Sequence, residues 1–329
     1  NEVAGTMTSK IRVLITTPWP EGAVDAMREH FAVEVHESPL PMPAEKWQTA
    51  LQDFDAIAPT VIDRLPPAAF QAQGRRTRIL GNFGVGYNHI DIDAARASGM
   101  AVTNTPGVLT EATADQAMGL LLAVARGISL GDWHIRDGQW TGWNPTDRLG
   151  TQVAGKMLGI IGFGRIGQAM ARRANHGFGM PVVFFNRSRI DPAEAASLGA
   201  RQLNTLEAVL EGADFVSLHC PGGAENRHLI NAERLKRMKP TAFLINTARG
   251  DVVDEAALVD ALEAGTIAGA GLDVFAEEPK VHPGLLALNN CVLNPHLGSA
   301  TIETRTAMGL KVVENLVAFF NGETPPDQL

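Results

Sequence analysis

Residues 156–189, KMLGIIGFGRIGQAMARRANHGFGMPVVFFNRSR, constrain the fold of this 329-residue chain more than any other stretch. An apolar run over 157–161 predicts a buried strand. The turn Gly162-Phe163-Gly164-Arg165-Ile166-Gly167 then breaks it, and a helical pattern continues to about residue 178. A second apolar run, 181–185, ends at Asn186-Arg187-Ser188. Strand, glycine turn, helix and strand in this order form the βαβ unit that holds a dinucleotide. Gly162 permits the tight turn, Gly164 lets backbone approach a pyrophosphate, and Gly167 lets helix and strand pack closely. The start of the helix adds free N–H groups and a partial positive charge for the phosphates.

The end of the second strand bears on which dinucleotide is bound. An NAD site usually carries a carboxylate there, on the ribose 2′-hydroxyl. This chain has Asn186, Arg187, Ser188 and Arg189 instead. A carboxylate would repel a 2′-phosphate, whereas a guanidinium fork and a serine hydroxyl would bind one. NADP(H) is therefore the expected cofactor, with NAD(H) used at lower efficiency; a solvated basic loop is the alternative.

Composition narrows the class. The chain is 45% hydrophobic and 19% charged, as ordinary globular enzymes are. Its net charge of −8 offers nothing to nucleic acid or an anionic membrane. Cys220 and Cys291 are the only cysteines and lack metal or redox spacing, so no metal site and a reduced, cytoplasmic setting are expected. No apolar run approaches the roughly 20 residues of a membrane span. Residues 1–6 lack an apolar signal core and precede Met7-Thr8-Ser9-Lys10, so they read as an artificial remnant outside the fold.

Elsewhere, short apolar runs predict strands at 11–15, 33–35, 56–58, 78–81 and 100–104, with helices at 21–31 and 44–51. Thr105-Pro106-Gly107 punctuates the chain before a long helix over 111–130. After the βαβ unit come strands at 215–219, 242–246, 267–274 and 291–293, with a helix at 255–264. This alternation predicts two parallel sheets with helices on their faces. A final helix over 302–320 is expected to return to the first domain. That domain would then be discontinuous, 7–108 and 300–329, around a dinucleotide domain at 109–299.

Three polar residues follow strands, where open α/β sheets bind ligands. Arg249 follows TAFLINT, Glu278 lies past GAGLDVF, and His296 follows CVLNP. Together they suit reduction of a 2-oxo acid. The guanidinium would bind the substrate carboxylate and polarise the carbonyl, the imidazolium would protonate the forming alkoxide, and the carboxylate would hold the ring in its charged form. A nicotinamide would supply the hydride. Singly, each has a structural alternative: a strand cap, a surface acid beside Glu277, a satisfied loop histidine. His219 and His89 are weaker candidates, and Arg172-Arg173 is expected to be a solvated helix face.

The chain resembles the D-2-hydroxyacid dehydrogenase family, and within it the glyoxylate/hydroxypyruvate reductase branch. The resemblance rests on NFGVGYNHID (82–91), NTPGVLTEATAD (104–115), GIIGFGRIG (159–167), LHCP (218–221), NTARGDVVDE (246–255), GAGLDVFAEEP (269–279) and NPHLGSAT (294–301). It implies a Rossmann domain inserted in a flavodoxin-like substrate domain, and a catalytic triad at Arg249, Glu278 and His296. It implies that the backbone of Val85-Gly86 holds the substrate carboxylate, with Arg249 and His296 completing the substrate site. For the cofactor it implies Arg165, Ile166, Cys220, Pro221, Thr247, Ala248, His296 and Gly298, with Asp273 on the nicotinamide amide. It implies NADPH-dependent reduction of glyoxylate and hydroxypyruvate to glycolate and D-glycerate, and a homodimer formed through the dinucleotide domain. Trp143, in GQWTGW with Trp140, would wall the partner's pocket or simply pack. The alternatives are a phosphoglycerate- or hydroxyphenylpyruvate-type dehydrogenase, or a dinucleotide-sensing corepressor. A formate dehydrogenase would carry Gln at the position of Glu278.

Overall fold

The computed structural model describes residues 10–65, 67–71 and 73–329, so the expectation for residues 1–6 lies outside the described residues. The chain begins β1 (Arg12–Ile15), α1 (Glu21–His30), β2 (Ala32–Val35), α2 (Lys46–Asp53), β3 (Ala56–Ala58), β4 (Ile79–Gly81), α3 (Ile92–Ala97) and β5 (Ala101–Thr103). The strands form one parallel sheet in the order β2-β1-β3-β4-β5. Val13, Ile15, Ile57, Ile79 and Leu80 are all fully buried, because helices cover both faces of a parallel sheet. Asp63, a wholly buried carboxylate, is satisfied: its Oδ2 accepts from Thr16 Oγ1 (2.6 Å) and Thr60 N (2.8 Å) just beyond β1 and β3.

Next come α4 (Thr110–Arg126), α5 (Ile128–Arg136), β6 (Leu158–Ile161), α6 (Arg165–Arg172), β7 (Val182–Phe185), α7 (Pro192–Ser197), β8 (Ala200–Gln202) and α8 (Leu206–Gly212). They are followed by β9 (Phe215–Leu218), α9 (Ala232–Arg237), β10 (Phe243–Asn246), α10 (Glu255–Glu263), β11 (Gly269–Leu272), α11 (Pro283–Leu286) and β12 (Cys291–Leu293). The seven strands form a second parallel sheet, β12-β11-β10-β9-β6-β7-β8. Strand order reverses between β6 and β9, and the glycine turn leaves β6 at that switch point, where doubly wound sheets bind ligands. Phe163 stacks on Phe184 with ring centroids 3.6 Å apart, filling the core beneath the turn.

The last helix, α12 (Ile302–Phe320), is capped by Thr301 Oγ1 and packs on α1 and β4. Residues up to Leu109 together with Thr301–Leu329 therefore make one compact unit, and Thr110–Ala300 make the other. The fold is α/β, a Rossmann-type parallel sheet inserted into a chain whose N-terminal part builds a second parallel sheet and whose C-terminal end returns to that unit as α12.

Two elements depart from the sequence expectation. The helix expected over 111–130 is broken at Gly127, which is left-handed (φ 62°) and turns the chain into α5. The helix expected to run to about 178 stops being α at Arg172 and widens into one π turn, Arg173–Gly177. The short α7, α8 and α9 escaped the pattern analysis, although Asp191, Thr205 and Asn231 cap them by accepting from backbone N–H groups. Among the described residues no helix is long and apolar enough to cross a membrane.

Candidate active site

The glycine turn is built by sterics. Gly162 sits at φ 89°, and a Cβ there would lie 2.6 Å from Cys220 N, so the turn and the segment after β9 close up only on glycine. A Cβ on Gly167 would strike the Gly162 carbonyl. Gly164, by contrast, faces open space, and no side chain caps α6. Free backbone N–H groups at a helix start, with room before them, fit a pyrophosphate. Past the end of β10, two buried atoms also lack partners among the described residues, Thr247 Oγ1 and Asp251 Oδ1.

At the end of β7, Asn186 Oδ1 accepts from Phe163 N (3.0 Å) and its amide donates to Ser188 Oγ (2.9 Å), tying the strand end to the glycine turn. Arg187 is exposed and already engaged: it pairs with Glu225 Oε2 (2.5 Å) and donates to Asn226 Oδ1 (3.3 Å). Arg189 donates to Asn204 Oδ1 instead (3.2 Å). The basic fork is thus a single arginine with a competing carboxylate, which the sequence pattern did not reveal. Cys220-Pro221 abuts the turn, and burial pushes the Cys220 thiol up to about 11, so it is inert at neutral pH. His219 hydrogen-bonds Ser217 Oγ through Nε2 (2.8 Å), and burial pushes its pKa down to about 4, so its ring is neutral.

Three strand ends assemble the polar cluster. After β10, Asn246 donates to Arg249 O (2.9 Å) and accepts from Ala248 N (3.0 Å), folding the Thr247–Arg249 segment into a turn. After β11, Glu278 Oε1 accepts from Phe275 N (3.0 Å), and its Oε2 lies 2.8 Å from His296 Nδ1. Burial alone would raise the Glu278 carboxyl. The His296 hydrogen bond and charge, the Phe275 N–H and the Arg249 guanidinium outweigh it and hold the group below its ordinary value. Burial lowers the Arg249 pKa, against the opposing charges of Glu278 and Asp251. Arg249, Glu278 and His296 are therefore one electrostatic group.

After β12, His296 occupies the left-handed region (φ 54°), a strained conformation for a non-glycine residue. Asp273 accounts for it. The His296 N–H donates to Asp273 O (2.9 Å), Leu297 N to Oδ1 (2.7 Å) and Gly298 N to Oδ2 (2.8 Å). Burial raises the Asp273 carboxyl even against these N–H groups. Both carboxylate oxygens, expected on the nicotinamide amide, thus hold the histidine loop. From α4, Thr113 Oγ1 donates to Gly298 O (3.2 Å) and Gln116 to Asn294 Oδ1 (2.9 Å). Sequence reasoning assigned no role to Thr113, Gln116, Asp251 or Glu225, whose partners lie 28 to 185 residues away in the chain.

Val85 and Gly86 belong to the other unit, in the loop after β4, and their N–H groups donate to no acceptor among the described residues. His89 Nε2 bonds Asn82 Oδ1 (2.8 Å). Arg172 and Arg173 are not a merely solvated face: both pair with Glu111, and Arg173 with Asp115, clamping α6 to α4. Trp140 and Trp143 are exposed, with Ile128, Trp133 and Ile135. Among the described residues no cluster of His, Cys, Asp or Glu could hold a metal ion.

Comparison with known proteins agrees with this architecture. Residues 118–298 match the family model for the NAD-binding domain of D-isomer specific 2-hydroxyacid dehydrogenases. A glyoxylate reductase of Pyrococcus furiosus is 48% identical over 321 residues, covering 96% of this chain and 94% of that protein. The solved NADPH-dependent glyoxylate/hydroxypyruvate reductase of Sinorhizobium meliloti, in complex with NADP and malonate, superposes with a TM-score of 0.85 at 37% identity, covering 98% of this chain and 97% of that one. A glyoxylate reductase structure from Paecilomyes thermophila gives a TM-score of 0.85 at 33% identity, over 98% and 99% of the two chains. The chain belongs to the D-isomer specific 2-hydroxyacid dehydrogenase family, within the branch that holds the glyoxylate reductases, and is an NAD(P)-dependent oxidoreductase.

Proposed function

We propose that this enzyme reduces glyoxylate and hydroxypyruvate to glycolate and D-glycerate, preferring NADPH to NADH. The observation that carries the reading is the 2.8 Å contact of His296 Nδ1 with Glu278 Oε2 within the field of Arg249. It joins a proton donor to a cation that can bind a carboxylate. The names of the relatives support the substrate class, and the NADP in the Sinorhizobium complex supports the cofactor.

The guanidinium of Arg249 binds the substrate carboxylate and polarises the 2-oxo carbonyl, and in the other unit the backbone N–H groups of Val85 and Gly86 offer donors for a carboxylate. When bound, NADPH supplies the hydride. His296 has Nδ1 committed to Glu278, which leaves Nε2 to give its proton to the forming alkoxide. The Glu278 carboxylate fixes the ring in this orientation. The N–H groups opening α6 take the pyrophosphate, and Arg187 with Ser188 takes the 2′-phosphate. Each Asp273 oxygen keeps a lone pair beyond its loop hydrogen bond, so a contact with the nicotinamide amide remains open to it. The exposed apolar residues on and after α5 suit burial against a second copy of the chain, giving a homodimer.

The test is NADPH oxidation in the presence of glyoxylate or hydroxypyruvate, with sedimentation for the mass of the assembly. His296→Ala should lower the rate of hydride transfer by roughly 10²–10⁴-fold, the range of general acid catalysis. No turnover of either acid by the wild type would overturn the assignment.

A further inference from the structure

Neighbouring strands β4 and β5 pair with Gly81 opposite Thr103, so Asn82 and Asn104 leave the sheet side by side. Asn82 is wholly buried and Asn104 nearly so. Both side chains reach the same loop. Asn82 Nδ2 donates to Gly84 O (3.1 Å) and Gly86 O (3.0 Å), and Asn104 Nδ2 donates to Val85 O (3.0 Å). Thr105 N adds a second bond to Gly84 O (3.0 Å). Asn82 Oδ1 accepts from His89 Nε2 (2.8 Å), so both polar atoms of the amide are engaged. Three consecutive carbonyls are thus captured by two side chains on the protein side of the loop.

In a trans peptide the C=O of one residue and the N–H of the next point in opposite directions. Capturing the carbonyls of Gly84, Val85 and Gly86 therefore turns the N–H groups of Val85, Gly86 and Tyr87 away from the asparagines. None of those three N–H groups donates to an acceptor among the described residues. If the loop served only as a connection, it would have no reason to expend two buried side-chain amides on carbonyls that water could satisfy.

We propose that Asn82 and Asn104 are positioning residues that hold the Val85–Gly86 amides ready for the carboxylate of the 2-oxo acid; this rests on the substrate assignment above. The pair makes the loop a preorganised anion receptor, so the enzyme distinguishes an acid from its neutral analogue through these two side chains. Neither asparagine touches substrate. Asn104 acts through one peptide unit and Asn82 through two, with Asn82 further braced by His89.

The experiment compares glyoxylate with its methyl ester in the wild type, Asn104→Ala and Asn82→Ser, measuring kcat and KM for each, the dissociation constant of NADPH and the melting temperature. Loss of amide alignment should raise KM for glyoxylate roughly tenfold in Asn104→Ala and more in Asn82→Ser, while kcat changes about threefold or less. The ratio of kcat/KM for acid over ester should fall by the same factor, and NADPH affinity should stay within about twofold of the wild type. A merely structural role would lower the melting temperature and both substrates' rates together, leaving that ratio unchanged, and this result overturns the proposal. Asn104→Ala, which removes one hydrogen bond, decides the matter if Asn82→Ser does not fold. A wild type that reduces neither compound refutes the substrate assignment itself, whereas an active wild type with an unmoved ratio in the variants refutes only the asparagines.

Discussion

Replacing Glu278 with Gln tests the proposed chemistry most directly, because it removes a charge and leaves the shape. The Oε2–Nδ1 contact is 2.8 Å, and the two side chains are 31% and 32% exposed. A hydrogen bond to a charged group contributes about 1.5–3 kcal/mol; at this degree of solvent contact the lower part of that range applies, about 1.5–2 kcal/mol. Gln still accepts a hydrogen bond but no longer attracts a cation. At 1.36 kcal/mol per factor of ten, kcat/KM for glyoxylate reduction should fall roughly ten- to thirtyfold. Because the folded enzyme holds Glu278 ionised to lower pH than usual, the deficit should run across the neutral range rather than appear at one end of it. The assay is steady-state kcat/KM from pH 5 to 9, with a primary isotope effect from deuterated NADPH to show that hydride transfer limits the rate. A folded variant that keeps the wild-type kcat/KM with a full isotope effect would refute the coupling.

Arg187→Ala should lower the NADPH-over-NADH ratio of kcat/KM roughly tenfold, the value of a partly solvated charge-assisted contact, and a ratio that does not fall would mean another group reads the 2′-phosphate. Glu225→Gln should raise the same ratio, because the variant no longer competes for the Arg187 fork; a fall would show that Glu225 positions the arginine instead. Arg249→Lys keeps a charge but loses the planar fork, so KM for the 2-oxo acid should rise at least tenfold while NADPH binding, followed by fluorescence, holds. His219, with its pKa pushed down to about 4, takes up its proton in the unfolded chain near pH 6.5 but in the folded one only far lower. Stability should therefore fall by about 1–3 kcal/mol on acidification from pH 6.5 to 4, and less in His219→Gln; equal pH dependence of the two melting curves would refute that burial cost.

Much of this protein is local and therefore visible in its sequence. Apolar runs of four or five residues separated by helical patterns predict parallel strands, because a strand buried on both faces needs no alternation. The glycine turn is legible because Gly162 and Gly167 answer to sterics within a few residues of themselves or to the segment they must touch. Boundaries that hinge on one residue are less so: Gly127 in the left-handed region splits a helix that composition alone would continue to residue 130. The short strand Ala200–Gln202 shows no apolar run at all and exists because β7 offers it a partner. At the site, the positions of Arg249, Glu278 and His296 beyond strands were readable, but their mutual geometry was not. The 2.8 Å contact joins residues 18 apart, and His296 reaches it through a left-handed backbone held by Asp273, 23 positions earlier. Likewise Glu225 meets Arg187 across 38 residues, and Asn82 and Asn104 converge on one loop because two strands run in register. Sequence periodicity reports which face of an element is apolar; which polar side chains then meet is decided by strand order and register, and only the tertiary structure contains those.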